Sequence, residues 1–156
     1  MISWPIAELL PHAADMILIE QVLAFDEESI HTCLMVRPGG LFNQADGSLP
    51  AWVGVELMAQ SVAAYAGCRA RAQGLPVEIG FLLGTRKYQC EVEAFPAGCR
   101  LDIHARRSLE DESGMGVFEC ELIGPGILVQ ARLNVYRPPH AEQYLAQAPV
   151  KELTHD

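Results

Sequence analysis

Residues 51–73 set the terms for the rest of the chain. Between Pro50 and the Gly74-Leu75-Pro76 stop there is no internal proline, and the alanines, Leu57 and Met58 favour a helix. Pro50 can open that helix, and a glycine followed by a proline closes it. Trp52, Val53, Val55, Leu57, Met58, Ala59, Val62, Ala63, Ala64, Tyr65 and Ala66 leave it apolar nearly all round. A helix without a polar face is buried on most sides. In a chain of 156 residues, one domain by length, the remaining segments have to wrap around it.

Those segments read as strands. Residues 5–10 fit a turn of helix with Pro5 at its first position, stopped by Pro11. Met16 to Ala24 is a mostly apolar run, and Asp26-Glu27-Glu28-Ser29 breaks it. Ile30, Thr32, Leu34 and Val36 then alternate with His31, Cys33, Met35 and Arg37, so the two runs predict a hairpin. Residues 41–50 form a loop with a turn at Asp46-Gly47. Beyond the helix, residues 79–92 are strand-like, and Cys99, Leu101, Ile103 and Ala105 alternate with Arg100, Asp102, His104 and Arg106. Residues 116–123 and 127–136 flank Gly124-Pro125-Gly126 as a second hairpin. The order β-β-α-β-β-β, an α+β arrangement of one long central helix inside an antiparallel sheet, resembles the hot-dog fold. Residues 1–137 read as this single domain, and 138–156 as a polar C-terminal tail, loosely held.

The charge excludes some partners and localises others. A net charge of −9 argues against a nucleic-acid binder and against an anionic membrane surface. No window of about 20 residues is apolar throughout, and the amino terminus lacks the pattern of a signal peptide. Seven of the eleven cations lie in residues 69–107, which carry a net +3 while the rest carries −12. That segment can meet an acidic partner or a phosphate, or it can form solvated strand faces whose charges never converge. The five cysteines, at 33, 68, 90, 99 and 120, show no C-x-x-C pair. They read as free buried thiols in a reducing compartment, the cytoplasm, with no metal or cofactor site.

Glu56 is the sharpest chemical feature, one carboxylate in the most apolar helix of the chain. Such a residue is rarely buried without a partner or a task. Desolvation of a carboxyl favours its protonated form, which is what a general acid needs. Gln60 lies one turn on along the same face, where its amide can hold that carboxyl or a substrate oxygen. The bland alternative is an exposed first-turn glutamate suited to the helix dipole.

Pro50-Ala51-Trp52-Val53-Gly54-Val55-Glu56-Leu57-Met58-Ala59-Gln60 resembles the P-G-x-x-x-x-E-x-x-A-Q segment of hot-dog 3-hydroxyacyl-acyl-carrier-protein dehydratases. Leu10-Pro11-His12 with Met16 to Val22 is similar to that family's L-P-H-R-x-P-x-L-L-V-D-R-V, and Gly84-Thr85-Arg86-Lys87-Tyr88 with Phe95-Pro96-Ala97-Gly98 to its later motifs. The likeness runs in register from about residue 9 to 136, and the 46–52 variant most resembles a divergent branch tied to aryl-polyene pigment synthesis. It implies dehydration of 3-hydroxyacyl thioesters, on acyl carrier protein or CoA, in fatty-acid or polyene-type synthesis. It also implies a homodimer or a hot-dog heterodimer, and no cofactor.

One position departs from the family. Its catalytic histidine stands eight residues before the helix-start proline, and here that position is Phe42. The resemblance therefore leaves the acid, Glu56, without its usual base. His12 is the substitute the resemblance implies, since Pro11-His12 precedes the first strand in a family motif that lies near the active-site entrance, while His31 and His104 read as outward strand faces and His140 and His155 as the polar tail. Phe42 and Asn43 stand where the family's loop meets substrate. Asp46 reads as a turn former. Backbone amides at Ala51 and Gly54 would polarise a thioester carbonyl, and Arg86 and Lys87 would dock a phosphopantetheine phosphate or an acidic carrier. Two other readings stay open: an acyl-thioesterase in which Glu56 activates water, and a non-catalytic subunit that completes a catalytic hot-dog partner.

Overall fold

The computed structural model describes residues 4–10, 16–76 and 80–137, apart from the side chain of Phe81. The tail beyond residue 137 and the segment holding His12 fall outside these residues. A 3-10 turn, Ile6–Glu8, precedes β1 (Gln21–Phe25) and β2 (Ser29–Met35). A two-residue β3 (Leu49–Pro50) leads into α1 (Val53–Ala72). Then follow β4 (Phe81–Cys90), β5 (Ala94–Phe95), β6 (Arg100–Glu110), β7 (Met115–Gly124) and β8 (Ile127–Tyr136). Six strands form one antiparallel sheet in the order β1-β2-β6-β7-β8-β4, and β3 pairs with β5 beside it. The sheet holds α1 against its inner face. This is the hot-dog arrangement.

The alternation read from the sequence selects that inner face. Ile30, Leu34, Leu101, Ile103, Leu122, Val129 and Leu133 are buried with Val53, Leu57, Met58 and Ala64 of the helix. Polar groups in this core are paired, as their desolvation demands. Thr32 and Ser61 share a hydroxyl hydrogen bond of 2.7 Å between β2 and α1, and Ser61 Oγ donates to the Leu57 carbonyl at 2.9 Å. Gly67 sits where any Cβ would collide with the Leu9 carbonyl, so the N-terminal segment lies directly on the helix.

Two boundaries differ from expectation. The helix begins at Val53, because Pro50 is taken into β3 by its partner Ala94. The first strand begins only at Gln21, because backbone groups of residues 16–19 bond to a helix side chain instead of to a neighbouring strand. The helix is also less enclosed than its composition implies. Glu56, Ala59, Ala63 and Ala66 are only half-buried and form one face that the sheet leaves open.

Candidate active site

Gln60 organises the site. Its side chain is fully buried, and every hydrogen-bonding position of its amide is used. Oε1 accepts from the backbone N–H of Leu18 at 2.8 Å and of Ile19 at 3.4 Å. Nε2 donates to the Met16 carbonyl at 2.7 Å and to Glu56 Oε1 at 3.0 Å. One amide thus fixes the chain before β1 to the helix and orients the carboxyl one turn away. The expectation that Gln60 would hold Glu56 is met, while its tie to residues 16–19 is a second duty that spacing along one helix does not reveal.

Glu56 opens onto a groove of about 210 Å³ that runs along the open face of α1. Ala59, Val62, Ala63 and Ala66 form one wall, and Leu82, Phe118 and Val135 of β4, β7 and β8 the other. These walls are apolar, and Arg69, Arg107, Glu110 and Arg137 also line the groove. Among the described residues no group of three or more His, Cys, Asp or Glu could hold a metal ion.

The start of α1 is built differently from expectation. The Gly54 N–H donates to the Ala51 carbonyl at 3.0 Å and the Ala51 N–H to the Glu93 carbonyl at 3.0 Å, so neither amide faces a substrate. Trp52, at the N-cap, provides no side-chain acceptor, which leaves the first-turn amides of Trp52 and Val53 without a side-chain cap. Gly54 matters for close packing: a Cβ there would strike the Tyr88 hydroxyl and press on Phe95. The Tyr88 hydroxyl donates to the Ala51 carbonyl at 2.6 Å, and burial raises its pKa.

In the loop before the helix, Phe42 packs edge-on against Trp52 with ring centroids 5.9 Å apart. Leu41 and Trp52 are 64% and 60% exposed, which makes an apolar lip on the surface. Asn43 spends its amide on the loop, accepting from the Gly40 N–H at 2.9 Å and donating to the Gly47 carbonyl at 2.7 Å. Asp46 accepts from the N–H and hydroxyl of Ser48, which holds its carboxyl below the usual range, and Gly47 takes a φ of 88°. The Asp46-Gly47 turn is as expected. Asn43 is a loop brace.

The remaining candidates lie elsewhere. Arg86 and Lys87 are exposed on β4; Lys87 has a φ of 55° and lines a separate surface depression with His31, His104 and Arg106. His31 and His104 face each other across β2 and β6, and their rings stack 4.0 Å apart. His31 Nε2 bonds Asp102 Oδ1 at 2.8 Å, and Arg100 grips the same carboxylate, chiefly accounting for its lowered pKa. These histidines are outward, as expected, but they form a network. The five cysteines are free thiols; burial pushes Cys68 to about 11 and Cys120 to about 12.

The basic segment is scattered: Arg71 pairs with Glu8 and Arg100 with Asp102, while Arg86, Lys87 and Arg106 are exposed. Two of its members, Arg69 and Arg107, do meet, at the far end of the Glu56 groove. Neither stood out from the charge run. The available signal was positional: Arg107 continues the core-facing set Leu101, Ile103, Ala105, where an arginine is out of place.

The comparisons with known proteins agree with this architecture. A family model described as ApeP-like, the ApeP dehydratase, matches residues 4–146. The structure of the dehydratase heterocomplex ApeI:P from Xenorhabdus doucetiae is similar with a TM-score of 0.83 and 35% identity, over 94% of this chain and 99% of that one. The PaaI protein of the E. coli phenylacetic acid degradation operon aligns with a TM-score of 0.56 at 15% identity, over 74% of this chain and 81% of that one. A mutant of the thioesterase PA1618 from Pseudomonas aeruginosa gives 0.53 at 20% identity, over 78% and 81%. The last two share the fold. No curated protein matches in sequence. With the family model matching residues 4–146 and the 35% identical heterocomplex chain covered almost end to end, this chain belongs to the ApeP-like dehydratase family.

Proposed function

We propose that the protein dehydrates 3-hydroxyacyl thioesters to 2-enoyl thioesters in aryl-polyene-type synthesis, with Glu56 as the general acid. The carrying observation is the Gln60–Glu56 hydrogen bond at the mouth of the groove. A base removes the proton on C2, and the C2–H electron pair becomes the C2=C3 double bond. The C3–O bond breaks, and Glu56 gives its proton to the departing hydroxyl, which leaves as water. Helix-start amides at Trp52 and Val53 are suited to the thioester oxygen, whose polarisation acidifies C2–H. His12 is our choice of base; it is the histidine of a family-like Leu-Pro-His motif. The acyl group travels on a carrier protein or CoA, and the free thiols suit a cytoplasmic setting.

A second reading places this chain beside another hot-dog subunit that supplies or completes the base. Two observations favour it: the open face of α1, and the similar structure being a heterocomplex. The decisive assay follows enoyl formation from a 3-hydroxyacyl thioester by the chain alone and by the chain with a second hot-dog subunit. Glu56→Gln and His12→Gln are each expected to lower the rate by about 10²–10⁴-fold. Release of free thiol instead of enoyl product would replace dehydration with thioester hydrolysis. Loss with Glu56→Gln but not His12→Gln would move the base to the other subunit.

A further inference from the structure

Tyr88 is turned toward the helix by an irregularity in its own strand. On β4, Arg86 stands opposite Arg132 and Gln89 opposite Gln130, so three steps along β4 match two along β8. The extra residue makes a β-bulge, which re-aims the side chains that follow it. Lys87, inside the bulge, has a φ of 55° and is the one non-glycine residue with a positive φ among the described residues. A lysine adopts that backbone only where its surroundings hold it there. Lys87, Gln89, Gln130 and Arg132 all line the depression on the outer side of the sheet. In unbroken alternation Tyr88 would stand opposite Gln130 and face outward with them. The bulge returns it to the inner side, against the start of α1.

The helix start is shaped to receive it. Gly54 leaves the space that the phenol fills, since any Cβ there would strike its oxygen. The hydroxyl donates to the Ala51 carbonyl at 2.6 Å, and the same carbonyl accepts from the Gly54 N–H at 3.0 Å. The Ala51 C=O and the Trp52 N–H belong to one planar trans peptide, so they point in opposite directions. Fixing the carbonyl therefore fixes the N–H. The Ala51 carbonyl faces Tyr88, while the Trp52 N–H points away from it and meets no acceptor among the described residues. Trp52 stands four residues, about one helical turn, ahead of Glu56.

Hydrogen bonds made at the two ends of a peptide strengthen each other, because donation to the C=O draws electron density from the N–H. We infer that Tyr88 is a positioning residue for the dehydration, its hydroxyl acting through the Ala51–Trp52 peptide to aim and polarise the Trp52 N–H for the thioester oxygen. This role rests on the proposed thioester chemistry and adds to it the group that readies the carbonyl-binding amide. The phenol keeps its proton throughout and never touches the substrate. Burial raises its pKa, so it stays a donor at neutral pH.

The test uses the full chain, with the second hot-dog subunit if activity requires it. Position 88 carries tyrosine, 3-fluorotyrosine, 3,5-difluorotyrosine or, in Tyr88→Phe, no hydroxyl. Fluorine makes the phenol a stronger donor with little change of shape, so these forms keep the test intact even if Tyr88→Phe does not fold. An acyl pantetheine thioester lacking the 3-hydroxyl, labelled with carbon-13 at its carbonyl, is bound to each, and the carbonyl stretch is read by infrared difference spectroscopy. The stretch should fall in frequency from Tyr88→Phe through tyrosine to the difluoro form. For enoyl formation from a 3-hydroxyacyl thioester, kcat should rise in the same order, with Tyr88→Phe losing about tenfold and KM unchanged. A residue that only braced the fold would give one frequency and one kcat for all three phenols. That result overturns the inference and leaves dehydration standing. A graded stretch without enoyl product sinks the dehydration reading and leaves the role of Tyr88 at the carbonyl standing. No bound carbonyl band in any form overturns both.

Discussion

At the scale of single residues, Gln60 decides most. Its amide has one permitted orientation, because the oxygen must meet two backbone N–H groups and the nitrogen a backbone carbonyl. Glu56 Oε1 therefore faces the Gln60 amide N–H, which fixes how the carboxyl is turned. Gln60→Leu should remove the clamp and orphan Leu18 N–H and the Met16 carbonyl, at about 1–3 kcal/mol for each buried group left unpaired. Chemical denaturation would show the stability loss, and turnover would fall further than stability alone explains. A variant as stable and as active as the wild type would refute the clamp. Glu56 was legible from its surroundings, a lone carboxylate in an apolar helix. The second duty of Gln60 was not, since its partners lie more than forty residues away.

At the scale of elements, α1 combines two surfaces. Leu57, Met58 and Ala64 are buried in the core, while Ala59, Val62, Ala63 and Ala66 line the slot. Ala63 lies halfway between Glu56 and Arg69, so Ala63→Leu should block the passage of long acyl chains and spare short ones. The measurement is kcat/KM across a chain-length series; an equal fall at every length would instead mean that the helix face had been disrupted. The helix and both hairpins were readable because period and turn chemistry are local. The 3-10 turn, too, lies where Pro5 suggested helix. The misread boundaries have tertiary causes: Pro50 is drawn into a two-residue ladder by Ala94, and residues 16–19 give their backbone bonds to Gln60. The Arg69–Arg107 meeting escaped notice for a similar reason. It depends on β6 crossing the end of α1.

At the scale of the molecule, charge is sorted by face. The outer side of the sheet carries Arg100, Asp102, His31 and His104, with Glu121 nearby. Desolvation first, and then the charge of His31, hold the pKa of His104 below 6.5. The folded state therefore binds fewer protons than the unfolded chain as pH drops through that value, so stability is full above about 6.5 and declines below it. Asp102, lowered mainly by Arg100, keeps its contribution until pH falls through 3.8. Denaturation midpoints measured against pH should show the first decline in the wild type and a flatter curve in His104→Gln; parallel curves would contradict it. The open helix face has a different kind of consequence. Together with exposed Leu82 and Leu83 on the edge strand β4, it leaves this fold with apolar surface that water does not tolerate in quantity. Supply follows from that: made in excess of whatever covers the face, the chain becomes a substrate for proteases and aggregation. The amount that survives in a cell is then set by the production of its cover as much as by its own.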